Sequence, residues 1–338
     1  MLIVMVVITI MSILAGALAI FLKVETQLTA NSNDSEQLLW VGRAGAQRAC
    51  WILSQEPPGP TSLQQIWAGG PGEGPETNSP LVGISLKDFP VGAGSVDLEM
   101  TEQESKFNIN TADSELLRQV LTTMGVDAGQ ISDVADSIQD WIDTDDATKP
   151  AGAESDVYQG MTPPYNAKNA PIDSIEELQL IKGVTPEMYK GGSGNSNTQF
   201  TRHRLGFGAA PGQEADYPFG LRDVFTPYSS GRININTVSS NVLACVPGMD
   251  GNSVDSILTL RNSSGDSLTG DGVIRDINVL RSVIPNPQAL SQLQRYATVQ
   301  GNTYEVHITA RVGSNSREYV AVIIRGQRSA DIVSFYPK

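Results

Sequence analysis

The chain is short of the residues that most enzyme chemistry uses. It has two cysteines, Cys50 and Cys245, far apart and in no CxxC pair or Cys/His cluster, so a structural zinc site has nothing to build on. It has two histidines, His203 and His307, neither in a motif. It contains no G-x-S-x-G elbow, no P-loop and no H-E-x-x-H. Basic residues are scarce as well: 23 Lys and Arg stand against 37 Asp and Glu, a net charge of −14 and a pI of about 4.6. A nucleic-acid surface needs a basic patch, and the average surface here repels phosphate. An acidic surface suits divalent cations or basic partners. Two cysteines in an exported chain are able to pair, and two buried thiols fit the sequence equally well.

What is present begins with an uncharged run. Met1 to Leu22 (MLIVMVVITIMSILAGALAIFL) carries no ionisable side chain, and Lys23 and Glu25 are the first charges. As a helix it spans roughly 30 Å, about a bilayer core. A signal-peptide core is shorter and ends in a small-residue cleavage site; an ordinary membrane anchor has the right length. The following segment separates the readings. From Lys23 to Gln55 there is no proline, and the apolar Leu28, Leu38, Leu39, Ala46 and Trp51 lie among polar residues. One helix is therefore expected to leave the membrane, turn amphipathic and stop at Glu56-Pro57-Pro58-Gly59-Pro60. A helix half in the bilayer and half in water resembles the stem of type IV pilins and pseudopilins. Met1 then stands near the mature N-terminus, although it also fits an initiator.

The rest of the 338 residues divides by composition. Residues 57–106 read as a Pro/Gly-rich loop followed by strands, among them Ser95 to Met100 with period two. Residues 107–230 read as helical. Thr111 or Asp113 caps a helix bearing Leu116, Leu117, Val120, Leu121 and Met124, and Gly125 stops it. A second helix carries Ile131, Val134, Ala135, Ile138, Trp141 and Ile142. Ser174 with Glu177 forms a capping box. Residues 190–216 are a Gly/Ser/Asn-rich loop. Residues 231–300 read as a second helical unit, with helix over Ser239–Asn262 and Arg275–Leu293. Residues 301–338 read as strands, with Tyr304, Val306, Ile308, Ala310 and Val312 alternating before a turn at Gly313–Ser316. The expected fold class is α+β: a pilin-like fold, with a long N-terminal helix (1–22 and 23–56) on an antiparallel sheet, and a large inserted all-α domain.

That insert contains an internal repeat. Phe107-Asn108-Ile109-Asn110-Thr111-Ala112 recurs as Ile233-Asn234-Ile235-Asn236-Thr237-Val238, and Val134-Ala135-Asp136-Ser137-Ile138 as Val254-Asp255-Ser256-Ile257. Each copy is a helix pair entered from an extended N-x-N-T segment, resembling a helix-hairpin-helix module. Such modules hold DNA phosphate through hairpin amides and basic neighbours. The first copy is heavily acidic, so a structural helix pair is the expectation.

The acidic stretch is the informative one. Between Asp127 and Asp156 nine acids face one base, Lys149. Asp133, Asp136, Asp140 and Asp143 recur at i, i+3, i+7 and i+10, on one helix face. Further acids crowd the C-terminal end of the helix, where the macrodipole disfavours them. A plain solvated face does not need that crowding, and a bound cation offsets it. Clustered carboxylates without His or Cys select calcium or magnesium. The expectation is calcium on Asp140, Asp143, Asp145 and Glu154, with Asp146 and Asp156 as further ligands. Counting Asp143 as first, Asp145 is third and Glu154 twelfth, as in an EF-hand, but Thr148 stands where that loop needs Gly, so the site is not an EF-hand.

The residues also carry a family resemblance. Lys106-Phe107-Asn108-Ile109-Asn110-Thr111, then Asp140-Trp141-Ile142-Asp143-Thr144-Asp145, then Gly152-Ala153-Glu154 with Tyr158, then Pro163-Pro164-Tyr165-Asn166-Ala167-Lys168-Asn169, then Glu177 to Val184 resemble general secretion pathway protein K, in the stated order. The resemblance implies a minor pseudopilin of type II secretion that is no enzyme. It would cap a periplasmic filament with the I- and J-type minor pseudopilins, followed by the H type, and start its assembly. The filament would push folded substrates through an outer-membrane secretin channel. Calcium in the insert is implied too. Most pseudopilins have Glu at mature position five and the K type lacks it; here the residue is Met5. The localisation implied is the inner membrane, single-pass, with the bulk of the chain in the periplasm. Two other classes compete: a type IV pilus or competence minor pilin, which shares the stem and lacks the acidic insert, and a membrane-tethered helix-hairpin-helix DNA-binding protein, which the charge opposes.

Overall fold

The computed structural model describes residues 1–70, 80–81, 83–192, 217–262 and 271–338, with the backbone alone for 27–33. The loop expected over 190–216, and His203 within it, lie almost wholly outside the described residues.

Helix α1 (Leu2–Gln55) is continuous. Its Leu2–Thr26 portion is long and apolar enough to cross a membrane, and every residue of it is exposed in the chain. Thr9 and Ser12 return their hydroxyls to the carbonyls of Met5 and Ile8 at 2.8 Å, so neither is left bare on the helix surface. Past Asp34 the helix becomes one-sided: Leu38, Val41, Ala46, Ala49, Ile52 and Leu53 are buried, whereas Trp40 is 64% exposed.

That apolar side lies on a five-stranded antiparallel sheet in the order β1-β2-β7-β8-β9. The strands are β1 (Phe89–Val91), β2 (Gly94–Glu102), β7 (Thr303–Val312), β8 (Asn315–Arg325) and β9 (Ala330–Pro337). The period-two reading of β7 holds: Tyr304, Val306, Ile308 and Ala310 are fully buried. Each such side chain contributes roughly 1.5–3 kcal/mol where it is large. The two glycines of the lower stem are what let helix and sheet meet. A Cβ on Gly42 would come within 2.6 Å of the Tyr319 ring, and one on Gly45 within 2.8 Å of Ile308. Residues 1–56, 66–101 and 305–338 form this first compact unit.

Residues 57–65 and 102–304 form the second. It contains α2 (Ser114–Met124), α3 (Ala128–Ile142), α4 (Ser155–Gln159), α5 (Pro186–Lys190), α6 (Leu221–Val224), α7 (Ser240–Ala244), α8 (Gly251–Asn262) and α9 (Pro287–Tyr296). Asp113 caps α2 through Leu116 N–H at 2.9 Å, and Gly125 ends it in the left-handed region. All five expected apolar residues of α2 are buried. Two expected helices are each broken in two. Ser239–Asn262 divides at the Pro247-Gly248 turn, and Arg275–Leu293 becomes a 3-10 turn (Ile277–Ser282) followed by α9, because Pro285 and Pro287 interrupt it.

The repeat is real in three dimensions. In copy one β3 (Phe107–Asn108) pairs in parallel with β4 (Phe225–Thr226); in copy two β5 (Ile233–Asn234) pairs in parallel with β6 (Ala297–Thr298). Asn108 Oδ1 accepts from Asn110 N–H at 2.8 Å, and Asn234 Oδ1 from Asn236 N–H at 3.1 Å. The second Asn of each copy then clamps a distant isoleucine backbone from both sides. Asn110 exchanges bonds of 3.0 and 2.7 Å with Ile172, and Asn236 bonds of 3.0 and 2.9 Å with Ile274. Each N-x-N-T segment thus fastens the start of its module to the return chain.

Cys50 and Cys245 are both free and buried. Burial pushes their thiols up to about 11 and about 12.

Candidate metal centre

The acidic residues gather where α3 ends. Asp127 caps the helix start through Gly129 N–H at 2.8 Å. Asp133 is exposed, and Asp136 and Asp140 are buried. Asp136 is spent structurally: it binds Arg118 at 2.9 Å and accepts from Ala151 N–H at 3.3 Å. Asp143 ends the helix in extended conformation, and the acidic loop begins there.

Asp140 is the anchor of that loop. Its carboxylate is fully buried and accepts from Lys149 N–H at 3.1 Å and from the Lys149 ammonium at 3.2 Å. The same ammonium reaches Asp143 Oδ2 at 2.5 Å. Burial works against the Lys149 charge, but its bonds to Asp143 and Asp140 outweigh that and raise its pKa above the usual lysine value. Gly152 closes over Asp140 so tightly that a Cβ there would lie 1.8 Å from Oδ2.

Glu154 is the unbalanced member. It is 4% exposed, and both its carboxylate oxygens are buried with no hydrogen-bond partner; Asp143 Oδ1 is in the same state. Burial raises its pKa above the usual value for glutamate, and Asp140, Asp143, Asp146 and Asp145 add to the rise. Asp145 and Asp146 lie at the exposed rim. Asp145 Oδ1 accepts from Ala147 N–H at 2.9 Å, and Asp146 Oδ1 accepts from the Asn169 amide at 2.9 Å. Asp156 is exposed in the first turn of α4 and accepts from Val157 N–H at 2.8 Å.

The loop is fixed from behind by aromatics. Trp141 meets Tyr158 edge-on at 5.2 Å, and Tyr158 stacks on Tyr165 at 5.3 Å. Lys182 donates to the Gly152 carbonyl at 3.3 Å, and Lys168 binds Asp173 and Glu177 at 2.7 and 2.9 Å.

The structure therefore brings Asp140, Asp143 and Glu154 into one acidic neighbourhood, with Asp140 and Glu154 buried and Asp143 half-buried, sets Asp145 and Asp146 at its edge, and leaves Asp156 at the surface. Among the described residues no three Asp, Glu, His or Cys side chains converge into a closed metal cluster; the Lys149 ammonium holds Asp140 and Asp143. Orphaned carboxylate oxygens are hard donors of the kind that calcium or magnesium takes. Two contributors are not singled out by the sequence. In it Lys149 is only the lone base of the acidic stretch. Asn169, in the left-handed region, touches Asp146 and the Asp145 carbonyl at 2.9 and 3.1 Å and keeps a buried, unpartnered Oδ1; its only signal was its place in the P-P-Y-x-x-K-N run.

Comparison with known proteins agrees with this build. Residues 96–191 match the family described as type II secretion system (T2SS), protein K. Type II secretion system protein K of Aeromonas hydrophila is 23% identical over 355 residues, 97% of this chain and 92% of that one. The putative type II secretion system protein K of Escherichia coli strain K12 is 28% identical over 143 residues, covering 38% of this chain and 39% of that one. A chain of the crystallised GspK-GspI-GspJ complex of the enterotoxigenic Escherichia coli type 2 secretion system superposes with a TM-score of 0.67 at 17% identity, over 92% of this chain and 99% of that chain. The chain is thus similar to type II secretion components. Within that class the likeness is to protein K, through the matched residues 96–191 and a relative aligned almost end to end.

Proposed function

We propose that this chain is the K-type minor pseudopilin at the tip of a type II secretion pseudopilus, where it starts filament assembly and helps export folded proteins. The observation that carries the reading is one helix, Leu2–Gln55, that is bare and apolar in its first half and packed on an antiparallel sheet in its second, in a chain aligned almost end to end with protein K of Aeromonas hydrophila. Helix on sheet is the pilin-like build, and the helical unit is inserted between β2 and β7. The partners are the I- and J-type minor pseudopilins, with the H type below them. Before assembly the apolar half holds the chain in the inner membrane with the remainder in the periplasm.

Met5 gives the tip position a physical basis. A buried amine needs a carboxylate partner; Met5 offers none, so this chain cannot pair with the amine of a subunit above it, which suits a position that has no subunit above. Co-purification with the I and J types, and gold labelling at one filament end only, are the expected results. Copies spread along the filament refute the reading.

The acidic loop is proposed to bind calcium, through Asp140, Asp143 and Glu154 with Asp145, Asp146 and Asp156 as outer contributors. The ion would supply the positive charge that Lys149 alone provides to this neighbourhood, and would order the loop onto α3. Full-length protein in detergent should melt higher with calcium than with chelator, and Asp143→Ala or Glu154→Ala should abolish that difference. An unchanged midpoint together with no heat on calcium titration refutes the site.

A further inference from the structure

Away from the acidic loop, the most deeply buried ionisable pair lies where the chain enters and leaves the helical unit. Glu102 and Glu104 are both 1% exposed, yet their surroundings differ. Glu104 receives three backbone N–H groups: Ser230 at 3.2 Å on Oε1, and Asn302 and Thr303 at 3.1 and 3.0 Å on Oε2. Such donors favour a carboxylate. Glu102 receives one side-chain amide, Asn234 Nδ2, at 2.8 Å on Oε1, and its Oε2 is buried with no hydrogen-bond partner.

Glu102 is also where three distant segments join. The Asn234 amide that binds it donates to the Thr61 carbonyl at 3.0 Å, and the Thr61 hydroxyl accepts from Gly301 N–H at 3.0 Å. Gly301 makes the space, since a Cβ there would lie 1.4 Å from Glu102 Oε1. The other titratable groups at the site are Glu104 and the buried Tyr304, whose hydroxyl donates to the Gly301 carbonyl at 3.3 Å. Among the described residues no basic side chain acts on Glu102; the Asn234 amide, the Thr237 hydroxyl and Glu104 do. A bare carboxylate enclosed this way, with a second carboxylate two residues on, is the costly form. The acid form places its proton on the orphaned Oε2.

We propose that Glu102 and Glu104 are a pH-sensitive latch at the root of the helical unit: Glu104 carries the charge, Glu102 carries a proton, and ionisation of Glu102 loosens the junction of residues 61, 234 and 301. Burial raises the Glu104 pKa above the ordinary 4.5, but the Thr303, Ser230 and Asn302 N–H groups oppose that rise, and Glu102 has no such set. Burial pushes Glu102 from the ordinary 4.5 up to about 8, with Glu104 adding to it and Thr237 and Asn234 opposing. Above 4.5 the unfolded chain gives up this proton and the folded one keeps it, so stability declines as pH rises until about 8, where the slope ends.

The test uses the full-length protein in detergent, over about pH 5.5 to 8.5. The wild-type melting point should fall across that range on the order of 5 °C, and hydrogen exchange, corrected for its intrinsic pH dependence, should speed up in residues 226–238 and 299–304. Glu102→Gln keeps the acceptor and supplies a fixed donor, so it should flatten the slope and melt above wild type at the alkaline end. Glu104→Gln should melt lower throughout, because one amide oxygen cannot serve three N–H donors. If Glu102→Gln retains the wild-type slope, the latch is wrong. Should that variant fail to fold, wild-type exchange in the two segments that does not change with pH overturns it equally.

Discussion

The two copies of the N-x-N-T module solve one problem in two ways. Both must return the chain from the end of their second helix to the Asn clamp. Copy two has few residues in sequence between Asn262 and Ile274, and at its described ends Asp271 is paired with Arg275 at 2.6 Å and Arg261 donates to the Val238 carbonyl at 2.6 Å. Copy one takes the long acidic route from Asp143 to Ile172, held by Lys149, Lys168 and the Trp141–Tyr158–Tyr165 stack. In copy two the positive charge is built into the chain. In copy one it is deficient, which leaves Glu154 without a partner. The same scaffold is thus plain structure in one copy and a candidate ion site in the other.

The clamp that both copies share gives the largest expected effect. Asn236→Ala removes both bonds to the Ile274 backbone in a site that is 2% exposed. Leaving a buried N–H and C=O unmet costs roughly 2–5 kcal/mol. Asn110→Ala removes the matching pair to Ile172 in a half-buried site where water can substitute, so it should cost about half as much. Chemical denaturation of the two variants measures the difference. Equal losses would mean the copies are not graded by burial.

Gly152→Ala distinguishes the copies next. The added methyl collides with Asp140, and relief requires the acidic loop to lift from α3, at about 1–3 kcal/mol. The same variant should weaken calcium binding, because it displaces the loop that carries Glu154. Loss of stability with the calcium response intact would separate the loop's packing from the ion site.

Glu154→Gln has a smaller effect and a predicted sign. Burial and four aspartates raise the Glu154 pKa in the ion-free protein, so its ionisation opposes folding once pH exceeds the ordinary 4.5. Removing the charge should stabilise the chelated protein near neutral pH by about 1 kcal/mol and flatten its pH dependence. With calcium present the same change should destabilise. A variant less stable in both conditions would show that Glu154 is a structural residue only.

Much of this was legible in the sequence, and the reasons are physical. The stem, the alternation in β7, the apolar face of α2 and the N-x-N-T recurrence are periodic or repeated signals that survive any tertiary context. The acidic neighbourhood was legible as composition. Contacts made across long separations were not. Lys149 is a surface residue by type, and only folding the loop back brings it to Asp140. Asn169 sits 23 residues from Asp146 in sequence. Glu102 and Glu104 continue the phase of Val96, Leu98 and Met100, the buried face of the strand, but as charged residue types they carry no sequence signal of burial. At Pro247 and Pro285 two signals conflict: proline breaks the helix, while the apolar spacing on either side stays helical.

The smallest effect tests the other half of the comparison. Arg275 holds Asp271 with bonds of 2.8 and 2.6 Å, and these lower the Asp271 pKa, with burial opposing and Val273 N–H assisting. A depressed acid contributes stability above its ordinary value of 3.8, lost as pH falls through the folded value. Yet both side chains are more than a third exposed, and solvent screens such a pair to about 0–1 kcal/mol. The return path of copy two does not depend on the pair alone. Asp271 still accepts from Val273 N–H at 3.1 Å, and its carbonyl still accepts from Gln64 at 2.5 Å. Arg275→Ala should therefore shift the unfolding midpoint hardly at all near neutral pH, and raised salt should erase what remains. A loss as large as that of Asn110→Ala would show that copy two, like copy one, depends on a cation held at its return loop, and the contrast between built-in and missing charge would fail.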